Sequence, residues 1–391
     1  MTETQIILQN ARIITPSQKI KTADVLIYRG QISKKLDDNE ISPTRNIDLG
    51  GLVLFAGFID IHNHGAVGVD VNSATAGDLR KVSRFLASKG VTAWLPTFVP
   101  DSTEIYQKGI DAIDEVMRTQ DLPSSEPAAR ILGVHYEGIF ANEKMCGALR
   151  PEFFKTFKGG EVDEIPKLKK GVHLTTLAPE VENGIDLIEK LIAENWIVSI
   201  GHTKAETEIL DAAFSAGAKH LTHFYNAMTG LHHRDVGVVG WALMKENTTF
   251  DIIADGVHVH PQMLEFACRA KSPENVCLIS DSVLPTGLGD GVYELWDEKI
   301  SVIDGKTQNE RGSIAGSVIT MLDAVNRMLS LGFSEVEVSK MASRNPAKLL
   351  GSEENYGSIE VGKRADLVAL DKNGSVKFVM IGGKVAVNNL D

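Results

Sequence analysis

The chain has 391 residues, 43% of them apolar and 24% charged, the balance of a soluble globular protein with room for one large domain and a smaller one. A formal net charge of −12 argues against a nucleic-acid groove or an anionic membrane surface as the main partner, while leaving room for a small anionic substrate. Cys146, Cys268 and Cys277 are widely spaced and form no Cys-x-x-Cys pattern, so they read as reduced thiols. The amino terminus has no basic n-region and no long apolar run. The expectation is a cytoplasmic protein without signal peptide or membrane span.

In chain order, residues 5–56 read as short strands and turns. Gln5–Thr15 partly alternates, Asp24–Tyr28 is followed by a glycine turn, and Gly50-Gly51 precedes Leu-Val-Leu-Phe. The tail is alike, with Asp366-Leu-Val-Ala-Leu, a turn at Asn373-Gly374, and Val376–Val387. Residues 1–56 and 358–391 are therefore expected to form one small β-sandwich domain from both termini. Residues 57–357 are expected to form the catalytic domain.

That middle region repeats a strand–helix unit. The strand candidates are Gly57–His64, Val91–Phe98, Ile131–Glu137, Val172–Leu177, Ile197–His202, His220–His223, Phe250–Ala254 and Val276–Asp281. Helical segments such as Ala76–Lys89, Ala205–Ala216 and Pro261–Ala270 intervene, and Gly287–Thr307 reads as a hairpin excursion. Eight such units fit an α/β fold of the (β/α)8 TIM-barrel type. A doubly wound sheet lacks its Gly-x-Gly-x-x-Gly turn here.

Barrel enzymes place their chemistry at the carboxyl ends of the strands. The first strand ends in His62-Asn-His64, whose alternation puts both imidazoles on one face. The third ends in His135-Tyr-Glu137, the fifth at His202, the sixth at His223, and the eighth at Asp281; the seventh leads to Asp255 and His258. Imidazole and carboxylate suit zinc, iron and similar divalent ions. So many metal-binding side chains in register are not a packing pattern.

These motifs resemble the N-acetylglucosamine-6-phosphate deacetylase family of the amidohydrolase superfamily. The carrying pieces are Gly57-Phe-Ile-Asp-Ile-His62-Asn-His64-Gly, His135-Tyr-Glu137-Gly, Gly201-His202-Thr, Thr222-His223-Phe-Tyr-Asn226-Ala227-Met228, Leu231-His-His-Arg234, Ile253-Ala-Asp-Gly-Val-His258, Ser280-Asp281-Ser and Ile314-Ala315-Gly316-Ser317. The resemblance implies that Glu137, His202 and His223 bind the main catalytic metal and that Asp281 is the general acid/base. It implies that His258 helps polarise the acetyl carbonyl. Asn226 and Ala227 would contact the sugar phosphate, and Arg234 would bind the phosphate, in this family sometimes from the neighbouring subunit of a homodimer. Ile314, Ala315, Gly316 and Ser317 would form a loop over the acetyl end.

The expected cofactor is a divalent ion, zinc first and Fe2+, Co2+ or Mn2+ as alternatives. Some members work with one metal and lack the first-strand pair; His62 and His64 supply ligands for a second, with Glu137 as bridge. The expected substrate is a small sugar phosphate.

Two departures bear on selectivity. Ile139 stands where the family often has Pro, and Gly147-Ala148-Leu149 where it has Gly-Ala-His. Ala148 keeps a substrate contact, whereas Leu149 cannot donate a hydrogen bond. N-acetylgalactosamine 6-phosphate therefore stays open as the substrate. Another amidohydrolase activity, cyclic-amide hydrolysis or deamination, often uses a carbamylated lysine on the fourth strand, and Val172–Leu177 has none. A scaffold without activity would be expected to have lost ligands. Among the remaining histidines, His135 and His220 read as supporting residues, with His135 a candidate to orient Glu137. His232 and His233 read as companions of Arg234 at a phosphate.

Overall fold

A computed structural model describes residues 5–14, 22–34 and 44–390. Met1 to Thr4, Thr15 at the end of the expected first strand, and Asp391 lie outside the described residues. The central sheet contains eight barrel strands: β1 (Phe58–Asn63), β2 (Val91–Phe98), β3 (Gly133–Phe140), β4 (Val172–Leu177), β5 (Ile197–Ile200), β6 (His220–Leu221), β7 (Thr249–Ile253) and β8 (Val276–Ile279). Each pairs in parallel with the next from β1 to β8.

The barrel closes just beyond β8. Asp281 N donates to His62 O at 2.9 Å and His64 N to Ser282 O at 2.8 Å. Beneath this seam the Asp60 carboxylate accepts from Ser280 N at 3.2 Å and Ser280 Oγ at 2.6 Å. Burial raises the Asp60 pKa, while these hydrogen bonds and the Asn63 amide work against the rise. Asp60 is thus a structural carboxylate that joins the first strand to the last.

Every residue of β1, β2 and β3 is buried, as expected where parallel strands are covered on both faces. Ile59, Ile61, Ala93, Leu95, Leu174, Ile253, Cys277 and Ile279 form one cluster. They come from strands around the circumference and meet only in the barrel interior. The helices obey local rules. Ala76–Ser88 starts with a capping box between Thr75 and Asp78 and buries Leu79, Val82 and Leu86 on one face. Thr207–Ala216, two residues shorter at its start than expected, stops at Gly217 with φ 117°.

Both chain ends build a second, eight-stranded sheet. Its order runs Lys384–Asn388, Val376–Ile381, Leu367–Leu370, Val53–Ala56, Gln5–Ile13, Ala23–Tyr28 and Gln31–Ser33, with Thr44–Asp48 on the flank of Gln5–Ile13. A bulge between Leu8 and Ala11, with Asn10 at φ 58°, bends the Gln5–Ile13 strand. Leu8, Ile13, Val25, Ile27, Leu54, Leu367, Phe378 and Met380 share a core that faces inward from both halves. The excursion after β8 consists of three antiparallel strands, Gly291–Leu295, Glu298–Ile303 and Lys306–Asn309.

The expected ends of β5, β6 and β8 shift. His202, His223 and Asp281 each lie two residues beyond the regular strand and take positive φ values of 47°, 33° and 49°. A left-handed residue breaks the ladder and redirects the side chain, at a cost of about 1–3 kcal/mol each.

Candidate metal centre

Glu137 projects from β3 into the middle of the site and is 5% exposed. Its Oε1 lies 2.9 Å from His223 Nε2 and 3.1 Å from His202 Nε2, and those two nitrogens are 3.0 Å apart. Its Oε2 lies 3.2 Å from His64 Nε2, while His62 Nε2 is 3.5 Å from Oε1. His62 Nε2 and His64 Nε2 approach to 3.0 Å. Asp281 Oδ1 completes the ring at 3.3 Å from His64 and 3.5 Å from His62. The side chains named at the strand tips therefore converge, and they form two overlapping groups able to hold metal: Glu137–His202–His223 and His62–His64–Glu137.

The donor chemistry fits a cation. His202 Nδ1 donates to Met145 O at 2.8 Å, and His64 Nδ1 to Thr97 O at 3.1 Å. With that Nδ1 proton in place, Nε2 of each imidazole, when it carries no proton, turns its lone pair toward Glu137, which is itself an acceptor. Acceptors that face one another in a buried space need a cation or a proton between them. Without a metal the protons take that role. Burial works against a charge on His64, but the Asp281 and Glu137 carboxylates raise its pKa to about 10. Burial pushes Glu137 and Asp281 up, yet the surrounding imidazoles hold Glu137 well below, and Asp281 below, its ordinary value.

Two supports fix this ring. The Asp251 carboxylate accepts from His223 N and lies 3.0 Å from His220 Nε2, so His220 is a supporting residue as expected. Glu180 accepts from Thr203 Oγ1, Lys204 N and Asn142 Nδ2, which holds the turn after His202 against the loop after β3. His135 does not orient Glu137. Its Nε2 lies 2.8 Å from Thr176 Oγ1, and its ring lies edge-on beneath His62 at 4.5 Å. Burial, then the charge of His62, lowers its pKa well below 6.5, so it is a neutral floor.

The other expected site residues occupy the loops at the same end of the barrel. His258 Nδ1 lies 2.6 Å from Asp255 Oδ2, which leaves Nε2 available. Asn226 Nδ2 donates to His223 O at 3.1 Å, and Ala227 O accepts from Thr203 N at 3.0 Å, so both are tied to the two histidine turns. Ser317 N donates to Asp281 O at 2.7 Å, and its hydroxyl to Ser280 O at 2.5 Å. That hydroxyl is committed to the backbone. Gly316, at φ 59°, lies so close that a Cβ there would meet Asp281 O at 2.9 Å. Ala315 is buried, Ile314 is half-buried, and Ala148 O accepts from Arg311 at 2.9 Å. Arg234 is exposed, with Nη1 2.9 Å from His233 Nε2. Leu149 is buried against Gly138, turned away from a hydrogen-bonding role.

A family model described as the amidohydrolase family matches residues 53–386. The chain belongs to the amidohydrolase family. It is 33% identical over 389 residues to an N-acetylglucosamine-6-phosphate deacetylase of Bacillus subtilis (strain 168), covering 97% of each chain. It is 35% identical over 336 residues to an N-acetylgalactosamine-6-phosphate deacetylase of Escherichia coli O157:H7, covering 85% of this chain and 88% of that one. Among solved structures, an N-acetylglucosamine-6-phosphate deacetylase of Thermotoga maritima superimposes with a TM-score of 0.86 at 32% identity, over 98% of this chain and 99% of the other. The amidohydrolase family implies a divalent metal, and the clustered imidazoles and Glu137 supply the groups to bind it. The chain is a metal-dependent amidohydrolase with a TIM-type barrel.

Sequence reasoning passed over Asp251, Glu180 and Trp296 in this amidohydrolase. Asp251 stands on β7 two residues before Ile253, and that alternation was the available signal. Glu180 and Trp296 reach the site from loops whose path no pattern announces. No helix among the described residues is long and apolar enough to cross a membrane.

Proposed function

We propose that this amidohydrolase removes the acetyl group of N-acetyl-D-glucosamine 6-phosphate, giving glucosamine 6-phosphate and acetate, as a cytoplasmic homodimer that prefers zinc. The observation that carries the reading is Glu137, whose carboxylate spans two histidine pairs with Asp281 3.3 Å from His64. The match to a deacetylase over 97% of the chain supports the substrate.

Glu137, His202 and His223 would hold the catalytic ion, and His62, His64 and Glu137 a second. When bound, the metal supplies a Lewis acid that acidifies water and polarises the amide carbonyl. Asp281 is kept ionised by its imidazole neighbours although burial opposes it, so it accepts the proton of the attacking water. It then delivers that proton to the departing sugar amine, which leaves poorly as an anion. His258 is oriented by Asp255, with Nε2 toward the acyl oxygen. Asn226 and Ala227 line the path to the sugar. Arg234, with His232 and His233, forms an exposed donor-rich loop suited to a phosphate of the neighbouring subunit. Leu231, 55% exposed beside it, is apolar surface that a dimer contact would cover.

Leu149 and the 35% identity to the galactosamine enzyme favour one second reading, the same hydrolysis on N-acetylgalactosamine 6-phosphate. The test is acetate release from both sugar phosphates and from unphosphorylated N-acetylglucosamine, with metal content measured in parallel. A preference of about tenfold or more for the gluco substrate is expected. A reversed preference selects the second reading, and no acetate from any of the three overturns both.

A further inference from the structure

The three-stranded excursion after β8 carries, at its first turn, a residue pair that local preference does not explain. Trp296 and Asp297 both lie in the left-handed region, at φ 55° and 63°. A two-residue turn of that type favours Asn-Gly, and a bulky aromatic there is strained. Strain of this kind persists only where the surroundings enforce it.

The surroundings do so through ties on both turn residues. Trp296 Nε1 donates to Asp70 Oδ1 at 3.3 Å. Asp297 Oδ2 accepts from Arg150 Nη1 at 2.9 Å, and Arg150 Nη2 is fixed by Asp101 at 2.6 Å. Held in this way, the indole stands edge-on to His64, with ring centroids 5.6 Å apart and planes at 82°. It also packs, with Ala148, on a small apolar cluster of Val283, Leu295, Ile300 and Ala315, separate from the other cores. Val283 is two residues from Asp281, and Ala315 adjoins Gly316, where a Cβ would meet the Asp281 carbonyl at 2.9 Å.

The rest of the centre is imidazole and carboxylate, whereas this cluster places a wall of apolar side chains next to the Asp281 segment through Val283 and Ala315. An amide whose carbonyl enters the centre, with its nitrogen in reach of Asp281, has one part that suits such a wall: the alkyl end of the acyl group.

We propose that Trp296 is a specificity-determining residue whose indole bounds the acyl subsite beside His64 and Asp281 and restricts hydrolysis to a two-carbon acyl group. This rests on the amide-hydrolysis reading above. A longer chain must displace an indole pinned at both turn residues, and rejection is therefore steric.

The experiment uses Trp296→Asn, which suits the turn better than the native residue, and Trp296→Phe, which keeps part of the bulk. The metal-loaded enzymes are given N-acetyl-, N-propionyl- and N-butyrylglucosamine 6-phosphate. The butyryl-to-acetyl ratio of kcat/KM should rise about tenfold or more in Trp296→Asn and less in Trp296→Phe. A merely structural role would lower all three rates together, and an unchanged ratio overturns the proposal. Ala148→Val narrows the same cluster without touching the turn and should depress propionyl hydrolysis more than acetyl; equal effects also count against it.

Acetate and butyrate binding by calorimetry, with no sugar present, separates this idea from the functional reading. Wild-type enzyme that cleaves no amino-sugar phosphate sinks the substrate assignment. Butyrate bound by Trp296→Asn and refused by wild type would still support the subsite, and equal butyrate binding by both would remove it.

Discussion

On one side of Glu137, Oε1 faces His202 and His223 at 3.1 and 2.9 Å; on the other, Oε2 faces His64 at 3.2 Å, and His64 is flanked by Asp281 at 3.3 Å and by His62, itself 3.5 Å from Oε1. The two sides differ in what stands behind the ligands. His202 is oriented by Met145 O, and the His223 backbone is held by Asp251, itself bound to His220. On the other side His64 is oriented by Thr97 O; buried Nδ1 of His62 and of His223 both have no hydrogen-bond partner among the described residues, so the sides differ in the carboxylate that holds the His223 backbone. Asp281 is also required there as a proton carrier. A ligand whose backbone is held keeps its geometry, and Asp281 on the other side is engaged in proton transfer, so the His202–His223 side should hold its ion tightly and the His62–His64 side loosely.

The largest effect should come from breaking the tight side. His202→Asn or His223→Asn, purified without added metal, should lose most of the bound ion and nearly all activity, whereas wild type retains about one per subunit. Full occupancy in either variant would refute the assignment. Asp281→Asn should keep that ion but lower kcat by about 10²-fold or more, and a near-normal kcat across the pH range would remove Asp281 from proton transfer. Asp251→Asn sharpens the contrast, since it touches only the support. Weakening of metal affinity by about 10- to 100-fold is expected in a chelator competition, with kcat at saturating metal largely preserved.

Smaller effects should come from the loose side. Metal titration of stripped protein should show a second, weaker activating ion that His62→Gln/His64→Gln abolishes; saturation at one ion in the wild type would leave a single-metal enzyme. The pH dependence has a definite sign. The metal-free His64 is raised from 6.5 to about 10 by Asp281 and Glu137, against its burial, so it remains protonated below that value. A cation that enters must expel the proton, and its affinity should rise with pH by up to about tenfold per unit below pH 10. Calorimetry in buffers of different ionisation heat would detect the released proton. Affinity independent of pH would mean that His64 is not a ligand.

The barrel and its strand tips were legible because the period of two places His62 and His64 together, and because parallel strands bring distant tips to one rim. The boundaries of β2 and β4 came out as read. Those of β5, β6 and β8 did not, since the left-handed turns at His202, His223 and Asp281 arise from tertiary demands on the side chains rather than from local preference. The supports were hidden for a related reason. Met145 and Thr97 act through backbone carbonyls, which carry no residue identity. Trp296 reaches His64 only because an entire hairpin folds back over the rim. Asp251, a side chain in register with the strand alternation, was the readable exception.

The seam that closes the barrel has a kinetic consequence. Asp60 and Ser280, joined across it, are 220 residues apart in sequence, and Asp281 N completes the same seam by bonding to His62 O. Asp281 and His64 cannot be neighbours until the first and last strands of the barrel have met. A contact of such high order is slow to form, since the loop-closure entropy of most of the chain precedes it. Appearance of catalytic activity during refolding should therefore lag behind the recovery of helix signal, with capture of the loosely held ion among the last events to be completed.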